Sequence, residues 1–241
     1  MDYIEFRTWW YNKFKHIEYD DAKHYYYNKN TGKRLTSVTQ LISKFKPPFD
    51  SEYWSKKKAA EKGITQEEML KEWDDIKEKG LAIGNEIHDY IENRYDQYII
   101  DPSIDMVERY LEDTKSDVPY MQEVIVGNDI VAGRFDHLGI RDNKLIIKDW
   151  KTNKKFETTS RYSLINGLEH LPNCEFYIYA LQTSLYQYLL GLDIKEREIV
   201  WFDRQGDYHV YKMPYLEKEV KTMLDYEYSK HTYISDKSVS K

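Results

Sequence analysis

The segment GRFDHLGIRDNKLIIKDWKTNKK, Gly133 to Lys155, carries two aspartates and a lysine at a spacing that suits hydrolytic chemistry. Its two apolar, β-branched runs flank Asp142-Asn143 and read as a hairpin. Counting outward from that turn pairs Arg141 with Lys144, Ile140 with Leu145, Leu138 with Ile147, and Asp136 with Asp149. Side chains alternate along a strand, so Asp149 and Lys151 share a face with Asp136, the aspartate β-carbons roughly 4.5–5.5 Å apart. Like charges opposed this closely repel unless a proton or a cation lies between them. A hard divalent ion, Mg²⁺ or Mn²⁺, is the natural partner, because it takes carboxylate oxygens and keeps several waters. Lys151 would hold or deprotonate an attacking water, or offset charge building on a phosphate. Taken alone, an Asp-x-Lys at a strand end is more often a solvated salt bridge.

The elements that must hold this group are legible on both sides of it. SVTQLISKF opens with Ser37 and Gln40, a capping-box start to a short helix that Pro47-Pro48 closes. Thr65 and Glu68 repeat the device before TQEEMLKEWDDIKEK, and GLAIGNEIHDYIENRYDQY continues as helix with Ile83, Ile87, Tyr90 and Ile91 as its apolar stripe. Asp101-Pro102 predicts another helix start. YMQEVIV, IVAGRFDHLGI and KLIIKDW then read as three successive strands joined at Gly127-Asn128 and Asp142-Asn143. NCEFYIYALQTSLYQYLLG is a strong helix, and REIVWFD and YHVYKM form a second hairpin through Gln205-Gly206. HYYYNKNTGKRL makes a small hairpin near the start, and PYLEKEVKTMLDYEYSKH a last helix. Helices before and after a central meander predict an α/β fold with helices packed on a mixed sheet.

Bulk composition narrows the class. A chain of 241 residues, 41% hydrophobic and 32% charged, is expected to be one globular domain with a real core. The single cysteine, Cys174, excludes an internal disulfide and any four-cysteine zinc or iron–sulfur site. No run of 18 apolar residues is present, and MDYIEFRTWW does not read as a signal peptide, so a soluble, cytoplasmic protein without a membrane role is expected. The net charge of −6 weighs against a nucleic-acid partner, but the distribution counts more than the sum. Lys44 to Lys62 holds six lysines against three acids, and Arg141 to Arg161 seven bases against three acids. Such patches fit a positive groove, although a run like Lys56-Lys57-Lys58 is more commonly a solvated helix face.

Further side chains are candidates on spacing alone. His88 lies four residues after Gly84, so a small residue leaves its helix face open one turn away. Beside Ile87 and Ile91, such a histidine is ordinarily a hydrogen-bonded core or edge residue. Glu92, one turn on, is placed either to orient the second ring nitrogen or to face solvent. Gln182 and Tyr186 sit at i and i+4, an amide and a phenol on one stripe, both suited to phosphate oxygens. In a chain with 23 tyrosines, packing is the plainer role for Tyr186. Glu123 either pairs with Arg134 or Lys151 or joins the two aspartates.

GRFDHLG followed by IIKDWKT resembles the core of the PD-(D/E)xK nuclease superfamily, in the RecB-like branch that includes phage exonucleases and mitochondrial genome-maintenance exonucleases. Gly84-Asn85-Glu86-Ile87-His88 is similar to that branch's G-x-x-x-H helix, Glu123 in YMQEVIV to the acidic residue before the metal hairpin, and Gln182 to Tyr186 to its Q-x-x-x-Y helix. With SVTQLI and the lysines after Asp50, the likeness spans roughly Tyr25 to Leu190.

The resemblance implies a restriction-endonuclease-like core with an antiparallel metal-binding hairpin. It implies one or two Mg²⁺ or Mn²⁺ ions held by His88, Asp136, Asp149 and the carbonyl of Trp150. Lys151, Asp136, Asp149 and Glu123 would be the catalytic set. DNA would be held by Gln182, Tyr186, Lys154, Lys155, Arg161, Lys56 and Lys57, with Tyr53 and Trp54 placed to stack on a frayed end. The whole chain is expected to form a single nuclease domain: residues 1–64 a DNA-contacting part, 65–213 the catalytic core, and 214–241 a C-terminal helix and tail. A phage exonuclease acting in recombination or repair is implied, with a recombination or single-strand-binding protein as a candidate partner. An endonuclease of the same fold, a silent DNA-binding module and a protein-interaction domain are the alternatives. Asp149 departs from the more frequent glutamate of the D/E-x-K motif, a variant the superfamily accepts.

Overall fold

In the computed structural model, residues 2–94 and 105–238 are described, and the expected helix start at Asp101-Pro102 lies outside them. The N-terminal helix α1 (Tyr3–Phe14) starts on a capping box from Asp2 and Glu5. Strands β1 (Ile17–Asp20), β2 (Tyr25–Asn28) and β3 (Arg34–Ser37) follow, β2 and β3 turning through Gly32 at φ +67°. Ser37 and Gln40 cap α2 (Val38–Ser43) as their types predict. The lysine-rich helix α3 (Ser51–Lys62) ends at Gly63 in the left-handed conformation. Thr65 and Glu68 then exchange hydrogen bonds at the head of one long helix, α4 (Gln66–Arg94).

After α5 (Asp105–Asp113) comes the meander of β4 (Val118–Gly127), β5 (Val131–Arg141) and β6 (Lys144–Lys151). Asp142 and Asn143 take φ +51° and +60°, the two left-handed residues that a tight hairpin needs to match strand twist. The β4–β5 turn is longer than Gly127-Asn128. It runs through Ile130, with the Asn128 side chain accepting from the amides of Ile130 and Val131. Helix α6 (Glu175–Leu190), strands β7 (Glu196–Phe202) and β8 (Tyr208–Lys212), and helix α7 (Glu217–Ser238) complete the chain.

The strands form one mixed eight-stranded sheet in the order β1-β2-β3-β5-β6-β7-β8, with β4 paired to β5 off that path. The fold is thus α/β with a mixed central sheet flanked by helices. On one face lies the main core, where Leu181, Leu185 and Tyr186 of α6 pack on Val124, Phe135, Leu138 and Ile147. On the other, Ile87, Tyr90 and Ile91 of α4 and Val107 and Tyr110 of α5 pack on Trp150, Val200 and Phe202. Each large apolar side chain buried this way contributes roughly 1.5–3 kcal/mol. No helix among the described residues is long and apolar enough to cross a membrane.

One feature of the sheet prepares the site. β5 carries β4 along one edge and divides the other, where β3 meets Val131 and Ala132 while β6 meets His137 to Arg141. Residues 133–136 lie in the fork between them. Gly133 sits where side chains approach the backbone closely: a Cβ there would fall 2.7 Å from Val38 Cγ2 and 2.8 Å from Tyr186 Cε1.

Candidate active site

The fork also breaks the strand alternation. Phe135 packs on Tyr186 and Leu138 lies in the same core, yet His137, between them in sequence, turns to Trp150 on the opposite face. Strict alternation would have put Phe135 and His137 together. β4 breaks at the facing position. Gln122 bonds to His137 Nδ1 at 2.8 Å, Val124 belongs to the α6-side core, and Glu123 between them has φ +50°. The rungs on either side, Gln122 with His137 and Val124 with Phe135, hold the same register. Glu123 and Asp136 therefore occupy one irregular rung, a device that re-aims side chains beside functional sites. A left-handed residue other than glycine costs on the order of 1–2 kcal/mol, so this rung is held by its surroundings.

The counted registry needs correction at the same point. The β5–β6 ladder ends with His137 and Lys148, so Asp136 and Asp149 are not a paired rung. The strands diverge there, and Asp136 bridges the gap with its side chain: Oδ2 accepts the Trp150 N–H at 2.6 Å. Asp149 is close enough to raise the Asp136 pKa, but its carboxylate is taken by the Lys151 ammonium.

Helix α4 supplies the third wall. At Gly84 it nearly touches the end of β6, where a Cβ would lie 3.2 Å from Thr152 Oγ1. One turn later His88 Nδ1 stands 3.5 Å from Asp136 Oδ1. Glu92 remains exposed, so the neighbour of the imidazole is Asp136. His88, Glu123 and Asp136 each offer one ligand atom, and all three atoms lie within 4.8 Å of one another. A carboxylate pair with an imidazole suits a hard or borderline divalent cation such as Mg²⁺ or Mn²⁺, so the residues present fit the implied metal. The compact trio includes Glu123 and leaves Asp149 to Lys151.

Electrostatics follow from this crowding. Burial, and then the charge of Asp149, pushes the Asp136 carboxyl well above the ordinary carboxylate range, against the pull of Lys151. Burial also raises Glu123, with Arg134 opposing and Glu92 and Asp149 adding to the rise. Burial lowers His88, which favours the neutral imidazole that can donate a lone pair. For Lys151, burial opposes the charge, but Asp149 and Asp136 outweigh it and its pKa is raised. Its Nζ also lies 5.0 Å from the ring centroid of Tyr179. As placed, Lys151 is a charged hydrogen-bond donor and not a base.

These groups sit at the foot of a cleft of about 710 Å³ lined by α4, β4, β5 and the end of β6. Of the expected DNA contacts, Lys154 lines it, and Lys155, Arg161, Lys56 and Lys57 do not. Arg161 lies over Tyr162 at 5.0 Å, and Lys57 over Trp54 at 5.0 Å. Lys56 pairs with Glu52 at 2.6 Å and Lys58 with Glu61 at 2.7 Å along an exposed helix face. Gln182 and Tyr186 are correctly paired on one stripe, but Gln182 Nε2 donates to Tyr186 Oη at 2.7 Å and both are buried. Buried in this way, neither offers a surface to a DNA backbone. Lys77, Arg204, Asn153 and Tyr179 line the cleft and escaped the sequence reading. Only two carried a usable signal: Lys77 is three helical turns before His88, and Tyr179 one turn before Gln182.

No family model matches the sequence, and no curated protein matches it. Among solved structures, the chain is similar to a protein designated SSO0001, at 14% identity over 92% of this chain and 83% of that one, with a TM-score of 0.39. It is also similar to an alkaline exonuclease (LHK-Exo) from Laribacter hongkongensis, at 13% identity over 65% of this chain and 84% of that one, with a TM-score of 0.35. Both likenesses are distant.

Proposed function

We propose that this chain is a metal-dependent deoxyribonuclease that hydrolyses phosphodiester bonds. The observation that carries the reading is the convergence of His88, Glu123 and Asp136 ligand atoms within 4.8 Å, beside a partly buried Lys151–Asp149 pair at the foot of an open cleft. A salt bridge that only stabilised a strand end would not need two further carboxylates and a neutral imidazole beside it.

His88, Glu123 and Asp136 would hold Mg²⁺ or Mn²⁺, with Asp149 and the Trp150 carbonyl close by. A cation bound there lowers the pKa of a water and neutralises charge developing on phosphoryl oxygens. The chain's own residues do the rest. Asp136, anchored by the Trp150 amide, and His88, beside it at 3.5 Å, are oriented before substrate arrives, and such preorganised groups cost no reorganisation during the reaction. Asp149 holds the Lys151 ammonium where it can donate to the attacking water or to a phosphoryl oxygen. Lys154 on the cleft wall, with Lys77 and Arg204, supplies phosphate contacts that carry no sequence information.

The exonuclease form, and a role in phage DNA processing, follow from the resemblance of the Gly133–Lys155 segment to phage exonucleases. Incubation with linear, nicked and covalently closed circular DNA in Mg²⁺ tests both levels of the reading. Loss of linear DNA with closed circles spared is expected, and cutting of all three indicates an endonuclease. Cleavage that persists in EDTA, or no cleavage with either Mg²⁺ or Mn²⁺, would overturn the proposal.

A further inference from the structure

Glu123 is claimed twice. Its Oε2 forms an ion pair with Arg134 Nε at 2.6 Å, and it is also one of the three residues whose ligand atoms converge within 4.8 Å. Arg134 reaches it from β5, two residues before Asp136, with its side chain 38% exposed in the cleft wall. The guanidinium also lies over Tyr19, 5.2 Å from the ring centroid. That ring gives it a second resting place, because arginine stacks on aromatic faces.

From this geometry, and resting on the metal-site reading above, we propose that Arg134 and a bound divalent cation compete for Glu123. Metal loading then turns the guanidinium toward the phosphodiester. The physical basis has two parts. A carboxylate whose charge is already paired with a guanidinium at 2.6 Å attracts a second cation less strongly. A guanidinium held at the edge of the ligand trio also repels a second positive charge. Released, its planar fork matches the oxygens of a phosphate, which a lysine ammonium tied to Asp149 cannot do. Tyr19 keeps the freed side chain in the cleft wall. Arg134 is thus a positioning residue in the loading step and a substrate contact afterwards.

A rival role for Arg134, as a scaffold that aims Glu123 at the metal, predicts the opposite sign, and that makes the test decisive. Mn²⁺ affinity is measured by calorimetry on the full chain for wild type, Arg134→Gln and Arg134→Met. The second variant keeps the stem and its packing should the first not fold. Both are expected to bind Mn²⁺ more tightly, on the order of fivefold, the upper end for a partly exposed ion pair. In a Glu123→Gln background that gain should vanish, since the two residues act through one contact. DNA binding is read in a Lys151→Ala background with Mn²⁺ present. There the Arg134 change should weaken affinity and reduce the slope of log affinity against log salt by about one phosphate contact. Equal or weaker Mn²⁺ binding by the Arg134 variants overturns this proposal alone. No Mn²⁺ binding by wild type overturns the metal-site reading and this proposal with it.

Discussion

Replacing Asp136 by asparagine should make the protein more stable and less able to bind metal, and the sizes can be worked from the site. The ligand atoms of Asp136 and Glu123 lie within 4.8 Å. At an effective dielectric of about 20, two full charges at that separation repel by roughly 3.5 kcal/mol. Arg134 offsets part of the Glu123 charge, and Lys151 attracts Asp136, so less than half of that survives. Asparagine keeps an oxygen for the Trp150 N–H but loses the charge-assisted component of the bond, on the order of 1 kcal/mol. The net relief is at most about 0.7 kcal/mol, or a rise of roughly 1–3 °C in Tm for a chain of this size.

The measurement is thermal unfolding in EDTA at pH 8, where the carboxylates are most ionised, repeated with excess Mn²⁺. At a hundredfold over its dissociation constant the ion adds about 2.7 kcal/mol to wild type. Asp136→Asn should gain little. The order of stabilities therefore reverses between the two buffers. A variant that melts below wild type in EDTA and climbs as far as wild type with Mn²⁺ would refute the charge-crowding account.

Lys151→Ala should lower cleavage by about 10²–10³-fold, as for other donors aimed at developing charge, while circular dichroism and DNA binding stay intact; a variant that cuts as well as wild type removes Lys151 from the chemistry. Asp117 is held by Arg141 at 2.6 Å and Lys148 at 2.7 Å. Burial opposes its charge, but these hydrogen bonds lower its pKa to about 2. A depressed carboxylate contributes stability above its unfolded value near 4 that is lost as pH falls through about 2. Asp117→Asn should therefore cost at most about 2 kcal/mol at pH 7, with a gap to wild type that closes in acid denaturation below pH 4; a gap independent of pH would point to packing instead. Gly133→Ala should lower Tm by roughly 1–3 kcal/mol worth of overpacking, because its Cβ meets Val38 and Tyr186 below 3 Å; an unchanged melt would mean that Tyr186 yields freely and braces nothing.

What could be read in the sequence was what local rules dictate. The Asp142-Asn143 turn, the Ser37–Gln40 and Thr65–Glu68 caps and the Gly84–His88 helix turn each depend on residues within one turn of one another, and each has the expected geometry. Strand pairing was legible up to His137 with Lys148, because registry propagates from the turn. It failed one rung later, because strict alternation was assumed through Asp136, and nothing in GRFDHLG marks the break. The role of Glu123 was half legible. Its residue type and position allow either pairing with Arg134 or a place beside Asp136, and both occur together. The DNA-contact lysines were the least legible. A surface lysine's direction is set by which acid lies a helical turn away, as Glu52 does for Lys56, and by no property of the lysine itself.

The irregular rung and the fork in the sheet have one cause. β5 has to accept β3 and β6 on the same edge, and strands enter a shared edge only if they part between Ala132 and His137. Parting leaves amides without ladder partners, a cost of about 1–3 kcal/mol for each buried group left unsatisfied. A carboxylate at Asp136 answers that locally by accepting the Trp150 N–H, and in doing so it is pinned where Glu123 and His88 converge. The defect in the sheet thereby supplies the orientation that a metal ligand needs. An amide at Glu123 would lose a ligand and leave the fold largely unchanged, but an alanine at Asp136 would strip the fork of its bridge and the trio of its anchor together. Metal affinity and local stability should therefore fall in step for Asp136→Ala and separately for Glu123→Gln. Hydrogen exchange at the Trp150 amide distinguishes the two: faster exchange in Asp136→Ala but not in Glu123→Gln is expected, and equal protection in both would break the link between the fork and the site.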